Sequence, residues 1–319
     1  MIVSTPPVRL QGGPPSFVEP ATAPTLEEAR AWCKSLAESH YENFHVATWF
    51  LPARLRTHFY PIYAYCRVSD DLSDEVGDPL LALRLLNEWE KMLLEVYDSP
   101  TSVKHPVLIA LAETIRSCDI PREPFTHLLV SFRKDQTFSR YQTMEELASY
   151  SDSSASPVGH LILYSSGYRD PELFALSDKI CTGLQFANMW QDVGPDLTER
   201  GRIYLPEDEM KRFNVTPQQL QAGEFTPAYR ELLRYLVGKT RVLFAEGQPI
   251  EDRVDADLAS ALRLFRRGGE AILDAIEAID FNTLNHRPIV TKATKMRLVG
   301  GALTGKLAAS FRSKKRSAA

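Results

Sequence analysis

Two stretches of the chain carry carboxylate and amide side chains about one helical turn apart. The first is Arg67-Val-Ser-Asp70-Asp71-Leu-Ser-Asp74, and the second is Gln185-Phe-Ala-Asn188-Met-Trp-Gln-Asp192-Val-Gly-Pro-Asp196. Residues three or four apart share one face of a helix, so each stretch predicts a single polar stripe, and Tyr63 extends the first one. These oxygen donors suit Mg²⁺, which takes one or two carboxylates and commonly shares a substrate phosphate. Two such helices facing each other would form a cradle for metal ions and a diphosphate.

The alternative for either stretch taken alone is a solvated acidic face. Both stretches, however, alternate with apolar residues: Ile62, Tyr65, Val68 and Leu72 in the first, and Leu184, Phe186, Met189 and Val193 in the second. Carboxylates that are buried together repel or become protonated unless a cation compensates them. The apolar context and the occurrence of two motifs therefore favour a metal site.

The elements that position these motifs are predicted to be helices almost throughout. The chain has 319 residues, of which 44% are hydrophobic and 24% charged, as in a globular protein. Residues 1–24 hold six prolines and predict a disordered leader, residues 25–304 a single domain, and residues 305–319 a basic tail. A capping box at Thr25-Leu-Glu-Glu28 predicts the first helix. Further helical spacing covers 80–97, 106–115, 125–138, 144–166, 171–193, 229–246 and 258–279.

Charge and cysteine content narrow the location and the partners. The four cysteines are widely spaced without a CxxC pair, which fits a reducing cytoplasm. No secretory signal or stretch of 18 apolar residues is present. Residues 281–319 carry nine Lys or Arg and no acid, which predicts a solvated disordered tail, with peripheral association with an anionic membrane surface as the alternative. No nucleic acid is expected, because aromatic stacking positions do not accompany these charges. The sequence also lacks a GxGxxG fingerprint, so no NADPH is expected.

The order of several motifs resembles the head-to-head prenyl synthases, the family of squalene and phytoene synthases. They are His40-Tyr-Glu-Asn-Phe44 with Leu51-Pro52, the stretch Tyr63 to Asp74, Tyr150 with Val158-Gly159, Gln185 to Asp196, Arg200-Gly-Arg-Ile-Tyr-Leu-Pro206, and Arg287. The resemblance covers residues 28 to 300 and implies an all-α isoprenoid-synthase (terpenoid-synthase) helical bundle with a central cavity. Chain-elongating prenyl synthases differ, because their second motif is another DDxxD.

The resemblance also implies roles for individual residues. Mg²⁺ ligands would be Asp70, Asp74, Asn188, Asp192 and Asp196, with Asp71 assisting. His40, Arg67, Gln185 and Arg287 match positions that bind the prenyl diphosphate. Tyr63 and Tyr150 would line the reaction centre, where aromatic faces stabilise a cation. Phe44, Val158 and Gly159 would shape the prenyl channel, with ordinary packing as the alternative.

Three local features resemble the bacterial hopanoid-pathway squalene synthases. They are Glu42-Asn-Phe44, Trp190-Gln191 before Asp192, and Phe265-Arg-Arg-Gly-Gly-Glu-Ala271. The resemblance implies conversion of presqualene diphosphate, or of farnesyl diphosphate, to hydroxysqualene or squalene, alongside partner enzymes of the same pathway. Two alternatives remain open: a phytoene or dehydrosqualene synthase that makes a carotenoid precursor, and a non-catalytic protein that binds prenyl lipids or assists assembly.

Two prolines predict irregularities in the motif helices. Pro195 lacks an N–H and would disrupt a regular helix between Asp192 and Asp196, so a bend is expected there. That bend makes Asp196 the least secure metal ligand. Pro61 predicts that the first motif helix either starts or kinks at this residue.

Overall fold

The structure, a computed structural model, describes residues 11–40, 51, 53–99, 102–137, 140–298 and 300. These residues form helices joined by short connections, with one isolated parallel bridge between Arg140 and Ile203 and no β-strand in the described ranges. The chain divides into two compact units. One comprises Met1–Phe138 and Pro157–Arg169, and the other comprises Ser139–Ser156 and Asp170–Ala319. The predicted single domain over 25–304 stays a prediction.

The described residues of the first unit form six helices, and the last of these belongs to the unit from its second residue onward. They are α1 (Leu26–His40), α2 (Ala53–Asp74), α3 (Pro79–Asp98), α4 (Pro106–Cys118), α5 (Glu123–Lys134) and, beyond α6 in chain order, α7 (Ser156–Ser165). The second unit contains α6 (Met144–Ser154), α8 (Pro171–Gln191), α9 (Val193–Arg200), α10 (Glu207–Arg212), α11 (Pro217–Gln221), α12 (Pro227–Gly247) and α13 (Ala256–Ala278). A 3₁₀ helix, Gln248–Asp252, connects α12 to α13.

Side chains that accept hydrogen bonds from free backbone N–H groups fix many helix starts. The predicted box at Thr25 is confirmed, since the Thr25 N–H donates to Glu28 Oε2 at 2.8 Å and the Glu28 N–H donates to Thr25 Oγ1 at 3.3 Å. Other N-terminal caps are Asp78, His105, Thr143, Asp170, Thr216, Thr226 and Asp255. The chain therefore starts its helices largely through local polar contacts.

Aromatic side chains form the core of the first unit. Trp89 is fully buried, stacks on Tyr65 with ring centroids 5.4 Å apart, and donates its indole N–H to Ser69 Oγ at 3.0 Å. Phe17 packs edge-on against Trp89 with centroids 5.8 Å apart. Phe17 lies within the leader that was predicted to be disordered, so that prediction does not hold for the described residues 11–24. Proline content suggested disorder, but one buried aromatic ring anchors this segment to the core.

Close helix packing characterises the core of the second unit. Phe244 of α12 is fully buried against Gly183 of α8 and Gly269 of α13. A Cβ atom added at Gly183 would lie 2.8 Å from the Phe244 ring, and one added at Gly269 would overlap it. The two glycines thus provide the space that this ring occupies, and they let α8, α12 and α13 approach each other closely.

Two helix boundaries differ from those expected. Pro61 lies inside α2, which begins eight residues earlier at Ala53, so the helix does not start at Pro61. The predicted helix over 144–166 is two helices, because Ala155 separates α6 from α7. Within the described ranges, no helix has both the length and the apolar character needed to cross a membrane.

Candidate functional site

The first motif occupies the last two turns of α2. The helix buries Ile62, Tyr65, Val68 and Leu72, which were the predicted apolar positions. Asp70 has 44% of its side chain exposed, and Asp74 is partly exposed. Burial of one helix face therefore orients two carboxylates of the motif toward accessible space.

Arg67 connects the acidic residues of this motif. Its guanidinium lies 3.1 Å from Asp70 Oδ2, 2.5 Å from Asp71 Oδ1 and 2.8 Å from Glu75 Oε1. The contact to Asp71 is a charge pair without the alignment of a hydrogen bond. Burial disfavours the charged guanidinium, but Asp71, then Asp70 and Glu75, more than offset this and raise the pKa of Arg67. The motif therefore carries its own counter-charge.

Asp71 departs from the predicted stripe, because only 4% of its side chain is exposed. Its Oδ2 accepts a hydrogen bond from the Ser16 hydroxyl, which belongs to the expected leader. The Ser16 carbonyl in turn lies 3.2 Å from His105 Nε2, and His105 Nδ1 accepts from the Val107 N–H at 3.2 Å. These partners require the proton on Nε2. Asp71 is thus buried and hydrogen-bonded by Ser16, which fits an assisting role better than a direct metal contact.

Tyr63 lies half-buried on the same helix. Burial raises the pKa of its phenol, Arg67 lowers it, and Asp70 raises it further. The net upward shift keeps the hydroxyl protonated, so this side chain can present an aromatic face rather than a phenolate.

The remaining positions predicted in the first unit are only partly described. The backbone of His40 ends α1, while Phe44 and Pro52 lie outside the described residues. Val158 is half-buried against the core of the first unit, and Gly159 is buried on α7. The structure therefore tests neither the diphosphate role of His40 nor the channel role of Phe44.

The second motif lies where α8 ends and α9 begins. Asp192 is the residue between the two helices, with φ −105° and ψ 20°. A bend was expected at Pro195, and the structure instead has a helix break at Asp192, three residues earlier. Pro195 is the third residue of α9, where the missing N–H removes no helical hydrogen bond. Asp196 lies in the first turn of α9 and is partly buried.

Arg287 forms a two-pronged ion pair with Asp192. Its Nε and Nη2 lie 2.6 Å from Oδ1 and 3.1 Å from Oδ2 of that carboxylate. Asn188 adds a contact from its amide nitrogen to Asp192 Oδ2 at 3.3 Å. Asn188 itself is exposed and Gln185 is half-buried on α8. Two of the predicted residues of the second unit, Arg287 and Asn188, thus contact the carboxylate of a third, Asp192.

Residues 283–288 lie against this helix junction. The Gly194 N–H donates to the Thr283 carbonyl at 3.2 Å, and a Cβ atom at Gly194 would lie 2.5 Å from the Leu284 oxygen. Gln191 Nε2 donates to the Pro288 carbonyl at 2.8 Å. Glycine at position 194 is therefore required for the close approach of the segment that carries Arg287.

Tyr150 belongs to a cluster of three tyrosine rings in the second unit. It is buried, with ring centroids 5.3 Å from Tyr141 and 6.2 Å from Tyr204. Sequence reasoning identified Tyr150 but not Tyr141, Ser16 or the contact of Gln191. Tyr204 lies within the motif Arg200 to Pro206, and Gln191 differs from relatives, but neither signal predicts these contacts. The proline-rich sequence around Ser16 predicts disorder and so gives no sign of its contact.

Comparisons with known proteins match most of the length of this chain. A family model described as squalene/phytoene synthase matches residues 37–294. The chloroplastic phytoene synthase of Daucus carota is 30% identical over 286 residues, covering 85% of this chain and 69% of that protein. The phytoene synthase of Arthrospira platensis is 28% identical over 292 residues, with coverages of 86% and 92%.

Solved structures extend the comparison to the fold. Squalene synthase HpnC from Alicyclobacillus acidocaldarius matches with a TM-score of 0.76 and 40% identity, over 81% of this chain and 96% of that one. A dehydrosqualene synthase matches with a TM-score of 0.79 and 24% identity, over 88% and 96%, which supports the fold alone. The predicted all-α isoprenoid-synthase class is confirmed, while the central cavity stays a prediction.

Proposed function

This chain belongs to the squalene/phytoene synthase family of enzymes, and from that premise we propose that it ionises a prenyl diphosphate with Mg²⁺ bound at its two aspartate motifs. The observation that carries the proposal is the pair between Arg287 and Asp192. It sets a guanidinium, which suits bidentate contact with phosphate, beside a carboxylate of the type that binds Mg²⁺.

The donor set fits a hard divalent cation. Asp70, Asp74, Asn188, Asp192 and Asp196 would hold Mg²⁺ through oxygen atoms, and Asp71 would assist by fixing Arg67. Among the described residues, no group of three or more His, Cys, Asp or Glu could hold a metal ion by itself. Mg²⁺ commonly takes few protein ligands and completes its shell with phosphate oxygens and water. When bound, it would supply positive charge that stabilises the departing diphosphate.

The remaining proposed residues would bind and shield the substrate. Arg67, Arg287, Gln185 and His40 would contact the diphosphate oxygens. Tyr63 and Tyr150 would offer aromatic faces to an allylic cation, and the rings of Tyr141 and Tyr204 beside Tyr150 support this role. Phe44, Val158 and Gly159 would shape the prenyl channel. Exclusion of water until the cation has rearranged would prevent its premature capture.

The finer proposal is that presqualene diphosphate, or farnesyl diphosphate, is converted to hydroxysqualene or squalene for the hopanoid pathway. Its support is the Trp190-Gln191 pair together with the 40% identity to the squalene synthase HpnC. The alternative of a phytoene or dehydrosqualene synthase is supported by the phytoene synthase relatives.

Labelled water distinguishes these products. The enzyme, incubated with Mg²⁺ and presqualene diphosphate in H₂¹⁸O without NADPH, should release a C30 alcohol that contains ¹⁸O. Capture of the cation by water forms a new C–O bond, whereas proton loss forms none. A chelator should stop turnover, since the proposal assigns charge neutralisation to the metal. A label-free polyene from prenyl diphosphates would establish the carotenoid-type alternative, and binding without diphosphate release would establish the non-catalytic one.

We also propose a cytoplasmic protein that associates peripherally with the inner face of the membrane and with partner enzymes of the same pathway. Its support is the nine basic residues and absence of acids over 281–319, since anionic lipid attracts each nearby basic residue by about 1 kcal/mol. Co-sedimentation with vesicles that contain anionic lipid, but not with neutral vesicles, tests the membrane part.

A further inference from the structure

Gln191 is the last residue of α8 and is buried, with 7% of its surface exposed. Its Nε2 donates to the carbonyl of Pro288 at 2.8 Å. The partner is an acceptor only, so it fixes which end of the amide faces it. This hydrogen bond joins the end of α8 to a segment 97 residues further along the chain.

The residues adjacent to Gln191 and Pro288 form a second contact between the end of α8 and the C-terminal segment. Asp192 follows Gln191, Arg287 precedes Pro288, and the two side chains form the bidentate ion pair. A residue that precedes proline is confined to extended backbone conformations, so Pro288 restricts Arg287 as well. Gln191 donates a hydrogen bond to the carbonyl of Pro288, the residue after Arg287. The Gly194 N–H donates to the carbonyl of Thr283, four residues before Arg287.

We propose that Gln191 is a positioning residue that holds Arg287 in place for the diphosphate. The inference rests on the proposed function of the site. Arg287 is 51% exposed, and a long side chain at that exposure loses considerable conformational entropy when it is fixed in one place. The hydrogen bond from Gln191 restrains the backbone next to Arg287. Less conformational entropy is then lost when Arg287 binds the ligand. Gln191 itself touches neither substrate nor metal.

The test compares two variants that each remove a buried hydrogen bond from α8. Gln191→Met keeps the length of the side chain but removes the donor to Pro288. Thr240→Val is the matched control, because it removes the acceptor of the neighbouring Trp190 indole N–H, at 2.9 Å, together with the hydroxyl bond to the Leu236 carbonyl, and touches neither Pro288 nor Arg287. Both lose stability, whereas only the first affects the anchor of Arg287.

Binding of a non-hydrolysable farnesyl thiodiphosphate with Mg²⁺ would be measured by calorimetry, and kcat and KM with presqualene diphosphate. Gln191→Met should weaken binding and raise KM about tenfold, the effect of one hydrogen bond of about 1.4 kcal/mol, with a smaller change in kcat. Thr240→Val should leave both within twofold of wild type. In an Arg287→Gln background, Gln191→Met should change binding by less than twofold, because it acts through Arg287.

Equal effects of Gln191→Met and Thr240→Val on binding would overturn the inference, as would the full tenfold loss in the Arg287→Gln background. If the wild-type protein bound no prenyl diphosphate, the proposed function would fail instead. The coupling of Gln191 and Arg287 would then be read from thermal unfolding without ligand. Additive shifts of Tm for Gln191→Met and Arg287→Gln would show that Gln191 does not position Arg287.

Discussion

Two carboxylates, Asp71 of the first motif and Asp192 of the second, are neutralised in different ways. Asp71 is almost fully buried and pairs with Arg67 four residues earlier on its own helix, while Ser16 donates from upstream. Asp192 is 15% exposed and pairs with Arg287, which is 95 residues away in sequence. The first arrangement is fixed by helix geometry, whereas the second exists only once the C-terminal segment has packed.

This difference predicts that Asp71 serves the structure, whereas Asp192, whose partner Arg287 is half exposed, serves the site. A buried ion pair that loses one partner leaves an uncompensated charge, which is strongly destabilising. A half-exposed arginine that loses its partner is rehydrated, so the effect on stability is small. Asp71 is therefore expected to govern folding and the orientation of Arg67, and Asp192 is expected to govern ligand binding and turnover.

Replacing each carboxylate by its amide tests this division most strongly. Asp192→Asn should lower turnover at least about 100-fold, because an amide carries no charge for the metal, and should change the free energy of unfolding by less than about 1 kcal/mol. Asp71→Asn should destabilise the protein by about 2 kcal/mol, because the Ser16 hydroxyl and Arg67 lose the buried carboxylate that they contact, while Asp70 and Glu75 remain beside Arg67. Steady-state kinetics and urea unfolding measure both. Reversed effects would show that the roles of the two carboxylates are exchanged.

Low pH should lower the stability of the protein through His105, whose ring contacts Ser16 beside Asp71. Burial lowers the pKa of His105 to about 3, with the bond to Ser16 opposing the shift. The unfolded histidine has a pKa of about 6.5, so between these values the unfolded state binds more protons. The stability contributed by the neutral ring is complete above about pH 6.5 and falls as pH drops, by up to about 1.4 kcal/mol per pH unit.

His105→Asn is the control for that pH dependence, because asparagine can still cap α4 but does not titrate. Urea unfolding of both proteins from pH 7 to pH 4 should show a shallower loss of stability in the variant. Parallel curves would mean that His105 does not carry the acid sensitivity.

Ser16→Ala tests the contact between the Ser16 hydroxyl and Asp71. Removing a hydroxyl that donates to a buried carboxylate should lower the free energy of unfolding by about 1.5–3 kcal/mol. Ser102→Ala removes an exposed hydroxyl bonded to the Ser99 carbonyl and should change it by less than about 0.5 kcal/mol. Equal stabilities of the two variants, measured by urea unfolding, would show that the leader does not support Asp71.

Local sequence signals predicted much of the fold. The Thr25 capping box, the apolar faces of α2 and α8 and most helix spans depend on neighbours within four residues. Asp70, Asp74, Asn188 and Asp192 were identified in the same way, from spacing along a helix. These features need no knowledge of distant parts of the chain.

The contacts that support the site could not be predicted, because they join distant residues. Nothing near Ser16 indicates that its hydroxyl reaches Asp71, and a proline-rich composition predicts disorder there. Pro195 indicated a disruption of the helix, which the structure places at Asp192, but nothing near it in sequence indicated that Leu284 would pack against Gly194. Arg287 was known from the resemblance, but its contact with Asp192 depends on tertiary packing.

The ring of Phe244 between Gly183 and Gly269 has a consequence for how this chain can diverge. Neither glycine can gain a methyl group while the ring stays in place, and a smaller residue at 244 would leave a cavity beside both. The three positions are therefore under joint selection, although two of them lie 86 residues apart. Homologues with a side chain at 183 or 269 should carry a smaller residue at 244, and paired substitution is the evolutionary route that keeps these helices in contact.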